Sequence, residues 1–152
     1  MAGIRNSGSF VIRQILVQSS CVPSADIIEL PGLRVSVDKV IYQPHVSADV
    51  LRPFCFMYFI SIHNDSDATV QIRARKWVVT DGNGEMTVVE GDGVVGEFPT
   101  LEPGQKFSYH SYHLLATVTG TAEGSYLGLD GEGRKVLARI PKFKMRAPEM
   151  IA

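Results

Sequence analysis

Apolar and polar residues alternate in short runs along most of this chain, and turn-forming residues separate the runs. Leu33, Val35 and Val37 alternate with Arg34, Ser36 and Asp38, the period of a strand with one buried face. The strongest run is Phe54 to Ile62. Phe54, Phe56, Tyr58, Ile60 and Ile62 make one face, while Cys55, Met57, Phe59, Ser61 and His63 make the other, apolar at one end and polar at the other. That pattern predicts a central strand. From Val70 to Thr80, Val70, Ile72 and Ala74 oppose Gln71, Arg73 and Arg75, then the apolar phase moves to Trp77 and Val79. A β-bulge near Arg75–Lys76 is expected to return Trp77 to the core face.

The turns are as legible as the strands. Asn64-Asp65-Ser66-Asp67 is a polar turn, and Asp81-Gly82-Asn83-Gly84 predicts a hairpin with Met86 to Val89 as its return strand. Pro103-Gly104 suits the centre of a type II turn. Further strands are predicted at Phe107–Tyr109, Leu114–Val118, Gly124–Leu129 and Val136–Ile140, the last stopped by Pro141. No helical period stands out after residue 30. About seven short strands at turn-marked spacing predict an all-β, antiparallel β-sandwich of the immunoglobulin-like or fibronectin-type-III-like class. The domain is expected over residues 31–148, behind an N-terminal extension of residues 1–30. In that extension Phe10 to Val17 reads equally as a strand or as two helical turns.

Composition narrows the function classes. With 152 residues, 45% hydrophobic and 20% charged, the chain is long and apolar enough for one folded domain. A net charge of −1 gives no general attraction to nucleic acid or anionic lipid. The Phe10–Val17 run is interrupted by Arg13 and Gln14, too short and polar for a signal sequence or a membrane span. The expected setting is the cytoplasm, with Cys55 as a small buried hydrophobe and a Cys21–Cys55 disulfide unsupported.

One segment carries a motif. Gly91-Asp92-Gly93-Val94-Val95-Gly96 spells Gly-x-Gly-x-x-Gly, the signature of a dinucleotide-binding loop. That loop needs a helix starting at its third glycine, whereas Gly96 is followed by Glu97, Phe98 and Pro99. The expected role is therefore tight backbone geometry between strands. An anion nest of successive N–H groups is the alternative, opposed by the charges of Asp92 and Glu97. Arg73, Arg75 and Lys76 form the densest basic cluster. Arg73 and Arg75 share a face of the predicted strand, where two guanidinium forks would suit a carboxylate or phosphate. A solvated face, or stacking of an arginine on Trp77, are the structural alternatives.

Other chemistry is poorly supplied. His110 and His113 are three apart and point to opposite faces of a continuous strand, so they do not chelate together. His45 and His63 have no spacing signature, and Asp65 with Asp67 lacks the rest of a calcium loop. Asp92 and Glu97 offer hard oxygens to magnesium, but a surface role is the simpler reading. No Gly-x-Ser-x-Gly elbow, reactive cysteine setting or nucleic-acid-binding stripe is present. No catalytic residue, resident metal or cofactor is expected.

Several segments, in order, resemble the ApaG family. Val70 to Gly84 is similar to its VQL-x-x-R-x-W-x-I-T-D-x-x-G strand and turn, and Gly91 to Glu97 with Pro99 to its G-x-G-V-V-G-E-x-P loop. Leu101 to Tyr109 is similar to L-x-P-G-x-x-F-x-Y, and Gly120, Gly124-Ser125-Tyr126 and Ile140 to Phe143 match later positions. The departures are Lys76 for a frequent histidine, Phe98 for a frequent glutamine, and Tyr112 for a glycine. The resemblance implies a fibronectin-III-like sandwich, an association of bacterial members with cobalt resistance and magnesium efflux, and a protein-binding role where related domains occur in larger proteins.

The expectation is a non-enzymatic interaction module. Its contact surface is expected on the loop residues Gly91, Asp92, Gly93, Gly96 and Glu97 and the basic residues Arg73, Arg75 and Lys76. The expected partner is a protein, with an anion or divalent cation as further candidates and a homodimer through an exposed edge also open. The alternative is a phosphate- or nucleotide-binding protein, even a weak hydrolase, using the glycine loop.

Overall fold

The computed structural model describes residues 10–12 and 27–148. They form an all-β sandwich of two packed sheets, with no helix among the described residues. The strands are β1 (Phe10–Ile12), β2 (Ile27–Glu29), β3 (Leu33–Gln43), β4 (Phe54–Asn64), β5 (Val70–Asp81), β6 (Met86–Asp92), β7 (Thr100–Leu101), β8 (Lys106–Leu115), β9 (Thr119–Asp130) and β10 (Lys135–Arg146). The larger sheet runs β1-β6-β5-β9-β10-β2, with β7 paired to the start of β5. The smaller runs β3-β4-β8. All pairings are antiparallel except that of β10 with β2.

Period-two alternation accounts for the core. β4 turns Phe56, Tyr58, Ile60 and Ile62 inward, against Trp77 and Val79 of β5, Tyr126 of β9, and Val136, Ala138 and Ile140 of β10. The sandwich is closed where β3 lies against β10, and β8 is the edge strand at the opposite margin of the smaller sheet.

Ten strands stand where about seven were expected, and the differences have local causes. β1, β2 and β7 are two or three residues long, too short to leave a period in the sequence. The Phe10–Val17 run is extended at Phe10–Ile12, pairing with Glu90 to Val88 of β6; the remainder of the run, like Cys21, lies outside the described residues. Cys55 is buried and unbridged. The apolar run Leu114–Val118 is not a strand of its own. β8 ends at Leu115, and residues 116–118 turn into β9. The Asp81 carboxylate fixes that turn by accepting hydrogen bonds from the N–H groups of Ala116 (2.8 Å) and Thr117 (3.1 Å) and from the Thr117 hydroxyl (3.0 Å). Asp81→Ala leaves those donors without an acceptor and should cost about 2 kcal/mol in a urea-unfolding measurement, with the turn's amides exchanging faster.

Pro141 does not end the last strand. β10 continues to Arg146 because a register shift between Ile140 and Phe143 absorbs the residue that has no N–H. The two predicted glycine turns hold. Gly84 has φ 93° in the Asp81–Glu85 hairpin, and Gly104 has φ 91° in a turn closed by Gln105 N–H donating to the Glu102 carbonyl at 2.9 Å.

Candidate functional site

The bulge in β5 decides how the basic residues are presented. Ile72 pairs with Gly128 and Ala74 with Leu127, so the extra residue is Arg73, earlier than the expected Arg75–Lys76. The position has a physical cause. The Arg73 guanidinium leaves the ladder to lie over the Phe98 ring, 5.6 Å from its centre, and its carbonyl accepts from Gly93 N–H at 2.7 Å. Beyond the bulge Arg75 falls in phase with Trp77, facing inward, while Ala74 and Lys76 face outward. Arg73 and Arg75 therefore do not form the paired fork that a regular strand would give. Arginine stacking, one of the structural alternatives, is seen between Arg73 and Phe98.

Arg75 ties the glycine segment to the core. Its Nη1 donates to the carbonyls of Asp92 at 2.8 Å and Gly93 at 3.1 Å. Its charge also bears on a buried tyrosine cluster, where the Tyr109 and Tyr126 hydroxyls are hydrogen-bonded to each other. Burial pushes the Tyr58 hydroxyl up to about 12 and raises Tyr109 and Tyr126 as well, while nearby Arg75 pulls all three back. These phenols stay neutral and structural at physiological pH.

The glycine motif is a reverse turn, with no helix at Gly96. Gly91 and Asp92 end β6. Val94 and Glu97 then exchange both backbone hydrogen bonds, at 2.8 and 2.9 Å, around Val95 (φ 42°) and Gly96 (φ 82°). Positive φ at both central positions is the type I′ hairpin geometry. The N–H groups of Val94 and Glu97 are thus committed to carbonyls inside the loop, and that of Gly93 to the Arg73 carbonyl of β5. An anion nest would need those donors turned outward. Val95 is a β-branched residue in a left-handed conformation, which costs about 1–3 kcal/mol and is a mark of functional segments.

Part of the expected site does come together. Arg75, Lys76, Gly91 and Asp92 line one shallow groove of about 460 Å³ on the larger sheet, with Glu90 and Ser125 beside them. Lys76 Nζ lies 4.0 Å from Glu90 Oε2, an exposed pair worth little to stability and open to exchange for a ligand's charge. Arg73, Gly93, Gly96 and Glu97 are not among the residues that line this groove.

The outer face of the smaller sheet carries a polar network that sequence reasoning missed. The Ser36 and Ser61 hydroxyls donate to Asp38, at 2.7 and 2.6 Å. Ser36 is also bonded to His63 Nε2 at 2.9 Å, and Ser61 to the Ser108 hydroxyl at 2.8 Å. The Ser61 and Ser36 hydrogen bonds hold the Asp38 carboxyl below its ordinary range. The signal available was weak: alternate serines on three segments that only the strand register brings together. His110 packs on Phe59 at 5.3 Å between ring centres on the outer face, while His113 is buried, so the two do point oppositely. Among the described residues no three His, Cys, Asp or Glu side chains are grouped to hold a metal ion.

Comparison with known proteins places this geometry. A family model described as the ApaG domain matches residues 44–129, over half of the chain. The chain belongs to the ApaG family. It is 36% identical over 124 residues to Protein ApaG of Vibrio cholerae, covering 82% of this chain and 98% of that protein. With Protein ApaG of Pectobacterium carotovorum it shares 37% identity over 125 residues, covering 82% and 99%. A crystal structure described as an ApaA protein from Bordetella pertussis superposes with TM-score 0.71 at 32% identity, covering 81% of this chain and 99% of that one. The glycine turn and the bulged β5 both lie within the span matched to the ApaG domain.

Proposed function

We propose that this ApaG-family chain is a non-catalytic protein-binding module whose contact surface is the outer side of β5 and β6 with the adjoining glycine turn. The observation that carries the reading is the groove of about 460 Å³ in which Lys76, Glu90, Asp92 and Ser125 gather beside a strained, rigidly bonded turn. Charges of both signs lie exposed around a fixed backbone, which suits a partner's polar side chains better than a catalytic step. Such a module in the cytoplasm would influence cobalt or magnesium flux, the association that the family resemblance implies, through a bound partner. The described residues contain no helix long and apolar enough to cross a membrane.

The test is affinity capture with charge variants. A partner held by wild type should be lost from Lys76→Glu and from Glu90→Lys. It should stay lost from the double swap, which restores the internal pair but inverts the surface. Equal retention by all of them removes this surface from the reading. The nucleotide alternative is tested by thermal unfolding with ADP, pyrophosphate, magnesium or cobalt. A ligand at a hundred times its dissociation constant adds about 2.7 kcal/mol. No shift is expected from ADP or pyrophosphate, because the N–H groups of Gly93, Val94 and Glu97 are already bonded; a shift abolished by Gly93→Val would favour the phosphate-binding alternative.

A further inference from the structure

β8 ends the smaller sheet, and among the described residues it pairs only with β4. Its ten residues contain no proline, and the ladder to β4 runs from Phe54↔Leu115 to His63↔Lys106 with no register shift. The outer main-chain groups of such a strand form a straight, unprotected row. β8 carries Lys106, His110 and His113 and no carboxylate, and Lys106 makes no ion pair among the described residues.

Beside this edge the sandwich is open. A crevice of about 260 Å³ lies between the sheets, lined by Val79, Thr87 and Val89 on one side and Tyr112, His113 and Leu114 on the other, with the charged Arg52 and Asp81 also in its wall. His113 is more than nine-tenths buried at its wall, and its Nε2 has no hydrogen-bond partner among the described residues. Tyr112 is 41% exposed at its mouth. A slot with Val79, Val89 and Leu114 in its wall, directly beneath a free strand edge, is the arrangement that strand addition uses. Main-chain bonds supply affinity and a side-chain slot supplies selection.

We propose that β8 receives an extended segment of a partner protein as an added antiparallel strand. The partner residue opposite His113 directs an aliphatic side chain into the crevice, and an acidic residue seven positions later meets Lys106. The spacing follows from the seven positions that separate Lys106 from His113. Charge favours a different protein over a second copy, since β8 of a second copy brings no carboxylate to Lys106. This surface is separate from the β5–β6 groove and does not depend on it.

The experiment presents the full chain to a random library of linear dodecapeptides and measures selected peptides by calorimetry and amide NMR. The expected consensus alternates, with an aliphatic residue and an acid seven positions after it, and binding protects β8 amides from exchange. Thr87→Trp, which fills the crevice without touching the edge, should weaken binding at least tenfold. Lys106→Glu should reverse the preference for the acid, and Lys76→Glu on the other surface should change nothing. Folding of each variant is checked by its amide spectrum, and if Thr87→Trp does not fold, Thr87→Leu replaces it. The proposal falls if no peptide enriches, if selected peptides bind the crevice-filled variant as tightly as wild type, or if sedimentation shows β8 occupied by a second copy.

Discussion

Gly124→Ala should remove a large part of the protein's stability. β9 is the middle strand of the larger sheet, and Gly124 pairs with Trp77 on one side and Ile140 on the other. A methyl group built at this position would overlap the main-chain carbonyl oxygen of Lys76 and press on the Trp77 Cα at 3.1 Å. Both atoms belong to the β5 ladder, so neither yields by a side-chain rotation. Relief requires β5 and β9 to separate next to the bulge that already breaks their register, and Trp77 would lose its seat against the core. The expected loss is on the order of 4 kcal/mol or more, against a typical total of about 5–15 kcal/mol. Gly131→Ala is the control, since nothing lies within 4 Å of its methyl and its φ is not in the left-handed region. Its unfolding free energy in urea should change by no more than about 0.5 kcal/mol. A Gly124→Ala protein within 1 kcal/mol of wild type would show that the ladder is softer than this packing implies.

The contrast between these two glycines shows where sequence reasoning stops. Gly124 reads as the start of a strand, and only the strand register tells that it lies under a neighbour's carbonyl. Local alternation correctly set the inward face of β4, because Phe56, Tyr58, Ile60 and Ile62 need only their own period to find the core. It also showed that β5 changes phase before Trp77, and placed the bulge near Arg75–Lys76, two residues too late. The true position was not legible, because Arg73, Ala74, Arg75 and Lys76 all tolerate a bulge; the choice is made by Phe98, 25 residues away in sequence, receiving the Arg73 guanidinium. The candidate groove was half legible. Residues 75–76 and 91–92 were marked by charge and glycine content, while Glu90 and Ser125 join them only through pairings with β6 and β9. The Asp38 network was hidden for the same reason, since its members come from three strands and each looks like an ordinary solvent-facing residue alone. Leu114–Val118 misled because apolarity was taken for extension, when a distant Asp81 carboxylate bends the chain there.

Stability should fall as pH drops below about 6.5, well before the carboxylates begin to protonate, and His113 should be the cause. Its ring is stacked on Tyr58 and set edge-on to Trp77, each 4.6 Å between ring centres, with Phe143 at 6.4 Å. Burial among these rings lowers its pKa to about 3, with no charged partner to offset the loss of hydration. The sign follows from which state takes up the proton. An unfolded chain protonates this histidine near its ordinary value of about 6.5, whereas the folded chain keeps it neutral, so acid favours unfolding across the interval between the two values. At pH 5 the loss amounts to about 2 kcal/mol relative to pH 8, and it grows by about 1.4 kcal/mol per further pH unit until the folded value is reached. Below pH 4 the Asp38, Asp49 and Asp130 carboxylates, held low by hydrogen bonds, add their own destabilisation. The diagnostic window is therefore pH 4.5 to 7. His113→Phe keeps the stacked geometry without a titrating group, and its urea midpoint should be nearly flat across that window. If wild type and His113→Phe decline in parallel, the proton is taken up elsewhere, and the ring is not the dry, neutral group that its packing describes.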